Sequence, residues 1–453
     1  MLKMLRLQDF KSWQDTGDMP FRPITGLFGA NSSGKTSILQ FLLLMKQTAD
    51  SPDRKLVLDF GDDQSLVSLG SFRDLVFGHD VALQIRARLD WALSRDLKVA
   101  DPERPKLTLL SGRDLSFETT ISSGGSGTLV SEEFMYGFAG HEFGMRRKPD
   151  QEAKYDLVDD PAGFHFARTQ GRPWPLPAPA KCYGFPDQVK AYYQNAAFLA
   201  DLQVALEEYL RSIFYLGPLR VDPERQYLWS GAQPSDVGKR GEQAINALLA
   251  SRARGELISM GMGIRRRTLE EHVAWWLKRL GLIHAFRVQA IAKGSNLYQV
   301  WVQKTARSSE VLITDVGFGV SQILPVLVLC FYVPPGSVVV LEQPEILLHP
   351  AVQAGLADVF INAVRTRGIQ VVFESHSEHL LQRLQRRIAE GQLLTDDAAL
   401  YFSEFKGDRS LLTRLDLDLF GNIANWPRDF FGDPLGEATA AAEAALRRRS
   451  ASS

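Results

Sequence analysis

Apolar residues fall at Leu2, Met4, Leu5, Leu7 and Phe10, a near-alternation that predicts a strand over residues 2–10. After a break at 15–20, the apolar stretch 24–28 runs into a cluster of Gly, Ser and Asn. The period then changes: Ile38, Leu39, Phe41, Leu42, Leu43 and Met45 lie in a segment, 36–48, that has no Gly or Pro, which predicts a buried helix. A strand therefore feeds a helix through a glycine turn. Short strands are predicted at 56–60, 66–69 and 81–89.

Residues 93–186 are the least patterned. They contain the GGSG stretch at 124–127, the basic run Arg146, Arg147, Lys148 and the Pro-rich WPLPAPA at 174–180, and they read as an inserted strand-rich module with long loops. Helical periodicity returns at 187–213, 240–252 and 268–281. In the last third, strands are predicted at 297–302, 311–313, 337–341 and 369–373, and helices at 321–333 and 351–364. Continuous apolar strands interleaved with helices imply a mixed or parallel sheet covered on both faces, so the fold class is α/β. No repeat of solenoid period is visible.

Composition narrows the function classes without naming one. The chain of 453 residues is 45% hydrophobic and 23% charged, which is the balance of a globular protein and allows about three domains. Fifty-two Lys and Arg against 53 Asp and Glu give a net charge of −1, so a nucleic-acid or membrane partner has to be met by a local patch. The longest apolar run, 323–333, contains Pro325 and is too short to span a bilayer. The N-terminus lacks the features of a signal peptide, which places the chain in the cytoplasm away from membranes. Cys182 and Cys330 are too few for a disulfide framework or a thiolate metal site.

Candidate chemistry starts at Gly29-Ala30-Asn31-Ser32-Ser33-Gly34-Lys35-Thr36, a full G-x-x-x-x-G-K-[ST] match between predicted strand and helix. Backbone N–H groups over Gly29, Asn31, Ser32, Ser33, Gly34 and on to Ser37 can cradle phosphates at a helix N-terminus, with Lys35 reaching the β and γ phosphates and the Thr36 hydroxyl on Mg²⁺. The strand 337–341 ends in Glu342-Gln343-Pro344-Glu345, which puts a carboxylate for Mg²⁺ and for water activation beyond a buried strand end. No guanine-reading N-K-x-D segment follows, which disfavours a GTPase. Upstream, Asp315-Val316-Gly317-Phe318-Gly319-Val320-Ser321-Gln322 is a glycine loop opening into a helix, a second anion nest. His376, in Glu374-Ser375-His376-Ser377 at the next strand end, is the candidate γ-phosphate sensor.

These four elements in this order resemble the ABC-type ATPase head, and more closely the branch of SMC-like, RecF-like and OLD-type ATPases. The phrases Phe10-Lys11-Ser12, LEQPEILLHP, GNIANWPRDFF and Tyr215-Leu216-Gly217-Pro218-Leu219-Arg220 are similar to a bacterial OLD-like, AAA-type stand-alone subgroup that includes ATPase subunits of Septu-type anti-phage defence. The resemblance implies a head split into 1–92 with the P-loop and 310–433 with signature, Walker B and switch histidine. Between them lie the module 93–186 and the helical region 187–309, and 434–453 is a tail. It further implies ATP and Mg²⁺ as ligands and Glu342, Glu345, Gln343 and His376 as the catalytic set. Thr36 and Glu342 would hold the metal, and Gly317, Gly319, Ser321 and Gln322 would contact the nucleotide of a second chain. Two chains would then sandwich ATP as a homodimer that senses or clamps DNA or RNA and controls a nuclease effector subunit.

Gln343 departs from that pattern, since an amide stands where such heads carry the general base and cannot accept a proton. Slow or partner-gated hydrolysis follows, with Glu345 or a water network substituting. Two other readings compete: a RecF-like repair clamp, and an OLD-type nuclease using Asp416 and Asp418, which are read here as the solvent face of a strand. A transporter ATPase fits least. The basic clusters at 146–148, 265–267, 383–387 and 447–449 read equally as phosphate contacts or solvated faces, and His79 and His272 as packing or surface groups.

Overall fold

The computed structural model describes residues 1–100, 106–124, 127–149, 151, 153–158, 160–171, 174–259, 261, 263–427, 430, 439–440, 444–445 and 448. The parts of the GGSG stretch, the GNIANWPRDFF phrase, the 447–449 cluster and the 434–453 tail outside these ranges lie outside the described residues.

Six strands build the sheet that carries the site. In chain order they are β1 (Ile24–Gly29), β2 (Ile213–Leu216), β3 (Val338–Glu342), β4 (Gln370–Glu374), β5 (Ala398–Lys406) and β6 (Arg409–Arg414). Their spatial order is β2-β3-β4-β1-β5-β6, with every pair parallel except the β5–β6 hairpin. β1 to β4 are buried along their whole length, which explains their unbroken apolar runs: both faces are covered. Side chains alternate between the two cores. Val338, Val340, Val372 and Tyr215 face one core, and Val339, Leu341, Val371 and Phe373 face the other.

The first core packs helix α1 (Lys35–Asp50) and α2 (Leu199–Arg211) against a long antiparallel sheet. That sheet runs from the N-terminal strand Leu2–Phe10 through Ile85–Ala100, Thr108–Ser123, Leu129–Phe138 and His141–Arg147 to Tyr155–Leu157. The second core packs α3 (Ala244–Arg254), α4 (Leu269–Arg279), α5 (Phe318–Tyr332), α6 (Pro350–Arg367) and α7 (Glu378–Ala389). A four-stranded sheet containing Ala285–Ala290, Leu297–Gln303 and Glu310–Leu312 lies on that side. The α/β class expected from the sequence is the class observed.

Several local expectations change. Residues 56–60 and 66–69 form no strand; Leu58, Val67 and Leu69 are buried, and the Gln47 side chain bonds Asp59 O and Val67 N. A helix side chain thus satisfies backbone groups that a ladder was expected to satisfy. The boundary at 92/93 falls inside the strand Ile85–Ala100, which pairs with Leu2–Phe10, so the inserted module is continuous with the sheet of the N-terminal part. Within 187–309, β2 belongs to the site sheet and pairs with β3. Asp416 and Asp418 lie past β6 in a tight turn, where Asp418 accepts hydrogen bonds from Phe420 N and Asn422 N, each at 2.8 Å.

Candidate nucleotide site

The C-terminal ends of β1, β3 and β4 converge where a doubly covered parallel sheet opens its crevice. β1 ends at Gly29, and the next residues turn sharply into α1, whose N-cap is Gly34. Gly29 has φ of +136° and its missing side chain would meet Ser403 O at 2.0 Å, while Gly34 has φ of +91° and would meet Ser410 Oγ at 2.6 Å. Only glycine fits both positions, and the resulting turn leaves the first N–H groups of α1 without intrahelical partners. Ser403 on β5 donates to Ser33 O and holds the loop from behind.

Lys35 is 4% exposed and folds back over the loop. Its Nζ donates to Ala30 O at 2.6 Å and Gly29 O at 3.0 Å. Burial lowers its pKa, and the charges of Glu374 and Glu345 oppose that shift. The Thr36 hydroxyl donates to Glu374 Oε2 at 2.7 Å. Ser37 turns the other way: it donates to Gly34 O at 2.6 Å and accepts from Trp13 Nε1 at 3.1 Å. Its side chain therefore braces the turn against Trp13, and its N–H donates to Gly34 O at 3.1 Å.

Three buried carboxylates face this loop. Glu342 and Glu374 are register partners on adjacent strands, 7% and 2% exposed. Burial, then the charge of Glu374, pushes Glu342 up to about 7, against a hydrogen bond from Tyr215 Oη to its Oε1 at 3.0 Å. Burial also raises Glu374, opposed by Thr36 and Lys35. Glu345 is raised by burial, opposed first by the His376 N–H donating to its Oε1 at 2.7 Å. The His376 ring is held below its usual range by burial and by Lys35, against a hydrogen bond to the Gly29 backbone. Gln343 adopts φ of +43° at the strand end, and its N–H donates to Glu374 O at 3.0 Å. Arg220, 5% exposed, donates from Nη2 to the carbonyls of Glu342 and Gln343, each at 3.4 Å.

The P-loop, Glu342, Gln343, Glu345 and His376 are thus brought together. The second glycine loop is not. Gly317 is the N-cap of α5 and is exposed; among the described residues no hydrogen bond or ion pair joins it to 29–36. Ser321 and Gln322 are buried in α5, where the Ser321 hydroxyl donates to Phe318 O at 2.8 Å. The turn of the helix carries both inward, away from the surface that their expected role requires. Asp315 instead pairs with Arg225 at 3.0 Å. Sequence reasoning left Glu374, Tyr215 and Arg220 out of the site. Their signal was present in the motif of His376 and in the phrase that ends at Arg220, but only the strand register places them.

Two of the basic clusters, 146–148 and 383–387, are largely neutralised. Arg146, Arg147 and Lys148 pair with Glu133, Glu132 and Asp156, and Arg383 and Arg387 pair with Asp358. His79 bonds Arg73 O, and His272 accepts from Trp276 Nε1 within the core. Cys182 and Cys330 are buried and free, and burial pushes both thiols up to about 12. Among the described residues no helix is long and apolar enough to cross a membrane.

Residues 277–382 match the family described as AAA domain, putative AbiEii toxin, Type IV TA system, and residues 393–439 match a family of unknown function, DUF3696. Over that segment the chain is similar to an AAA-type ATPase domain, and the matched residues take in the second glycine loop, Glu342, Glu345 and His376. None of the curated proteins matches the sequence. Among solved structures, the chain is similar to an SMC head bound to the C-winged helix domain of ScpA, with 9% identity, 92% of this chain and 98% of that chain covered, and a TM-score of 0.44. It is also similar to the SMC head domain from Thermotoga maritima, with 12% identity, coverage of 92% and 99%, and a TM-score of 0.41.

The carboxylates make the apo protein pH-sensitive. Glu342 rises from 4.5 to about 7 on folding, so its contribution to stability is full below pH 4.5 and is lost as pH rises through 7. Glu345 and Glu374, raised as well, act in the same direction. Glu342→Gln is expected to raise the melting temperature of the nucleotide-free protein at pH 8 and to leave it nearly unchanged at pH 4.5, measured by thermal denaturation across that range.

Proposed function

We propose that this chain is a slow, Mg²⁺-dependent ATPase whose two copies close over two nucleotides as a switch controlling a nuclease partner in cytoplasmic anti-phage defence. The observation that carries the ATPase reading is the meeting of Lys35 and Thr36, on a glycine cradle that no side chain can enter, with the buried carboxylates Glu342, Glu345 and Glu374. The residues present suit MgATP. Phosphate oxygens can replace the Gly29 and Ala30 carbonyls as acceptors for Lys35, and the free N–H groups at the start of α1 point a helix N-terminus at the same place. The oxygens of Thr36, Glu374 and Glu342 are the hard donors that Mg²⁺ takes, one or two at a time beside substrate phosphates.

When bound, Mg²⁺ would neutralise charge on the transferring phosphoryl group. Lys35 would share that task, and His376, resting on Gly29 and Glu345, would report whether the γ phosphate is present. Glu345, with one buried oxygen unpartnered, is the available base, since Gln343 cannot accept a proton.

The dimer reading is supported by the exposed Gly317 loop and by large apolar side chains in the segments around the site. Leu219, Phe318 and Leu347 are exposed, and Gly319 lies against Leu348, so Phe318 and Leu347 sit in neighbouring segments. A closing partner would cover them and bring its own Gly317 to the nucleotide. Control of a nuclease and contact with DNA or RNA rest on the likeness to Septu-type ATPase subunits. Complementation tests the dimer. Lys35→Ala and Gly317→Asp chains, each inactive alone, are expected to recover about a quarter of wild-type ATPase when mixed, because half the dimers are mixed and each has one complete site. No recovery, with both chains folded and able to exchange, contradicts the shared site.

A further inference from the structure

Arg220 is a buried cation with unfinished hydrogen bonding. Its Nη2 makes two long contacts to the carbonyls of Glu342 and Gln343, both at 3.4 Å, and its Nε and Nη1 are buried without a partner. Glu345 has the complementary deficit: Oε1 takes the His376 N–H, and Oε2 is buried with no donor in good hydrogen-bond geometry, the Ser375 hydroxyl being the polar group nearby. The two residues feel each other's charge, yet these atoms do not pair directly. Native interiors rarely leave such groups unsatisfied, and the loss is largest for charged ones.

The chemistry of the two deficits defines what completes them. A guanidinium needs an acceptor, and a carboxylate needs a donor. A phosphate oxygen satisfies only the first and is repelled by Glu345, whereas a metal ion is repelled by Arg220. A neutral hydroxylic molecule does both, and water is the one that a phosphate-binding site always meets. Glu345 is tied through the His376 N–H, at 2.7 Å, to a residue that itself bonds the Gly29 backbone, so a water held there lies on the side of the loop that Lys35 closes.

We propose that Arg220 and Glu345 together hold the water that attacks the γ phosphate, Arg220 donating to its oxygen and Glu345 accepting its proton. This rests on the ATPase reading above. In the step, the water oxygen forms a bond to the γ phosphorus and the bond from that phosphorus to the bridging oxygen breaks. Its electron pair leaves with ADP, and the proton passes to Glu345. Arg220 stays a cation throughout and orients the nucleophile that Gln343 cannot activate. The backbone around it is fixed in advance: Gly217 N donates to Lys239 O at 2.8 Å, and Val221 N to Arg240 O at 3.0 Å.

The test uses the full chain with Arg220→Gln, Arg220→Lys and Glu345→Gln. Arg220→Gln is expected to lower kcat by about 10²–10³-fold, the range for losing one oriented donor, with KM and affinity for a non-hydrolysable ATP analogue within about threefold of wild type. It should also lose tight binding of ADP–aluminium fluoride, which mimics the attacked phosphoryl group, as should Glu345→Gln. Arg220→Lys, which keeps a charged donor, should recover at least about tenfold over Arg220→Gln. The assignment is overturned if Arg220→Gln turns over within threefold of wild type. It is also overturned if its loss of kcat is matched by equal losses of analogue affinity and melting temperature, the behaviour of a strut. A wild-type chain that binds ATP but never hydrolyses it removes the assignment while sparing the nucleotide site. One that does not bind ATP removes both.

Discussion

Lys35→Ala is expected to weaken ATP binding by about a hundredfold or more and to abolish measurable hydrolysis. Lys35 is a nearly fully buried ammonium whose contacts in the free protein are two loop carbonyls and, at 3.4 Å, the Ser33 hydroxyl. Its charge is kept by Glu374 and Glu345 against the pull of burial. An arriving triphosphate replaces weak acceptors with charged ones, and truncating one partner of a buried charged pair costs about 2–5 kcal/mol. At about 1.4 kcal/mol per tenfold, that spans roughly 30-fold to several thousandfold in affinity. Lys35→Arg is not expected to rescue, because a planar fork cannot occupy the pocket of a point charge between Gly29 and Ala30. Calorimetric titration of wild type and variants with ATP, beside their melting curves, separates lost binding from lost folding.

The second large effect divides the carboxylates by role. Glu345→Gln is expected to lower kcat by about 10²–10⁴-fold, the usual worth of a positioned base, while nucleotide affinity stays near wild type. Glu342→Gln is expected to weaken the dependence of binding on Mg²⁺, since Glu342 is the register partner of Glu374, which accepts from the Thr36 hydroxyl. Gln343→Glu, by contrast, should change turnover far less than Glu345→Gln does. Its backbone is held at positive φ and tied to Glu374 and Arg220, so a new carboxylate enters a turn set for another purpose. Single-turnover hydrolysis with saturating Mg²⁺ measures all three; a Glu345→Gln chain that turns over like wild type contradicts the assignment of the base.

The parts of the site that were legible in the sequence are those that depend on local spacing. The P-loop is one continuous turn, and its glycines, lysine and threonine are where G-x-x-x-x-G-K-[ST] put them. The unbroken apolar runs before Glu342 and Glu374 announced strands buried on both faces. What escaped depends on register. Glu374 reads as a strand-end carboxylate next to a histidine until pairing sets it opposite Glu342. Tyr215 and Arg220 lie more than a hundred residues from Glu342 in sequence, and only the parallel pairing of β2 with β3 brings them to the site. The misplaced elements have the same origin. Residues 56–69 are apolar enough for strands, but a single Gln47 side chain supplies backbone partners there. Residue 92 offered a break in pattern inside a strand that continues to Ala100. Ser321 and Gln322 matched a motif, whereas their faces on α5 are decided by packing.

One nucleotide is expected to bind at 29–36, with Mg²⁺ shared by Thr36 and the strand-end carboxylates. Titrating the purified full chain with ATP in a calorimeter, with Mg²⁺ and then with a chelator, tests it directly. Saturable binding of one ATP per chain is expected, tightening with Mg²⁺ and disappearing in Lys35→Ala. Absence of binding at millimolar ATP in a folded wild-type chain, or equal binding by wild type and Lys35→Ala, would contradict it.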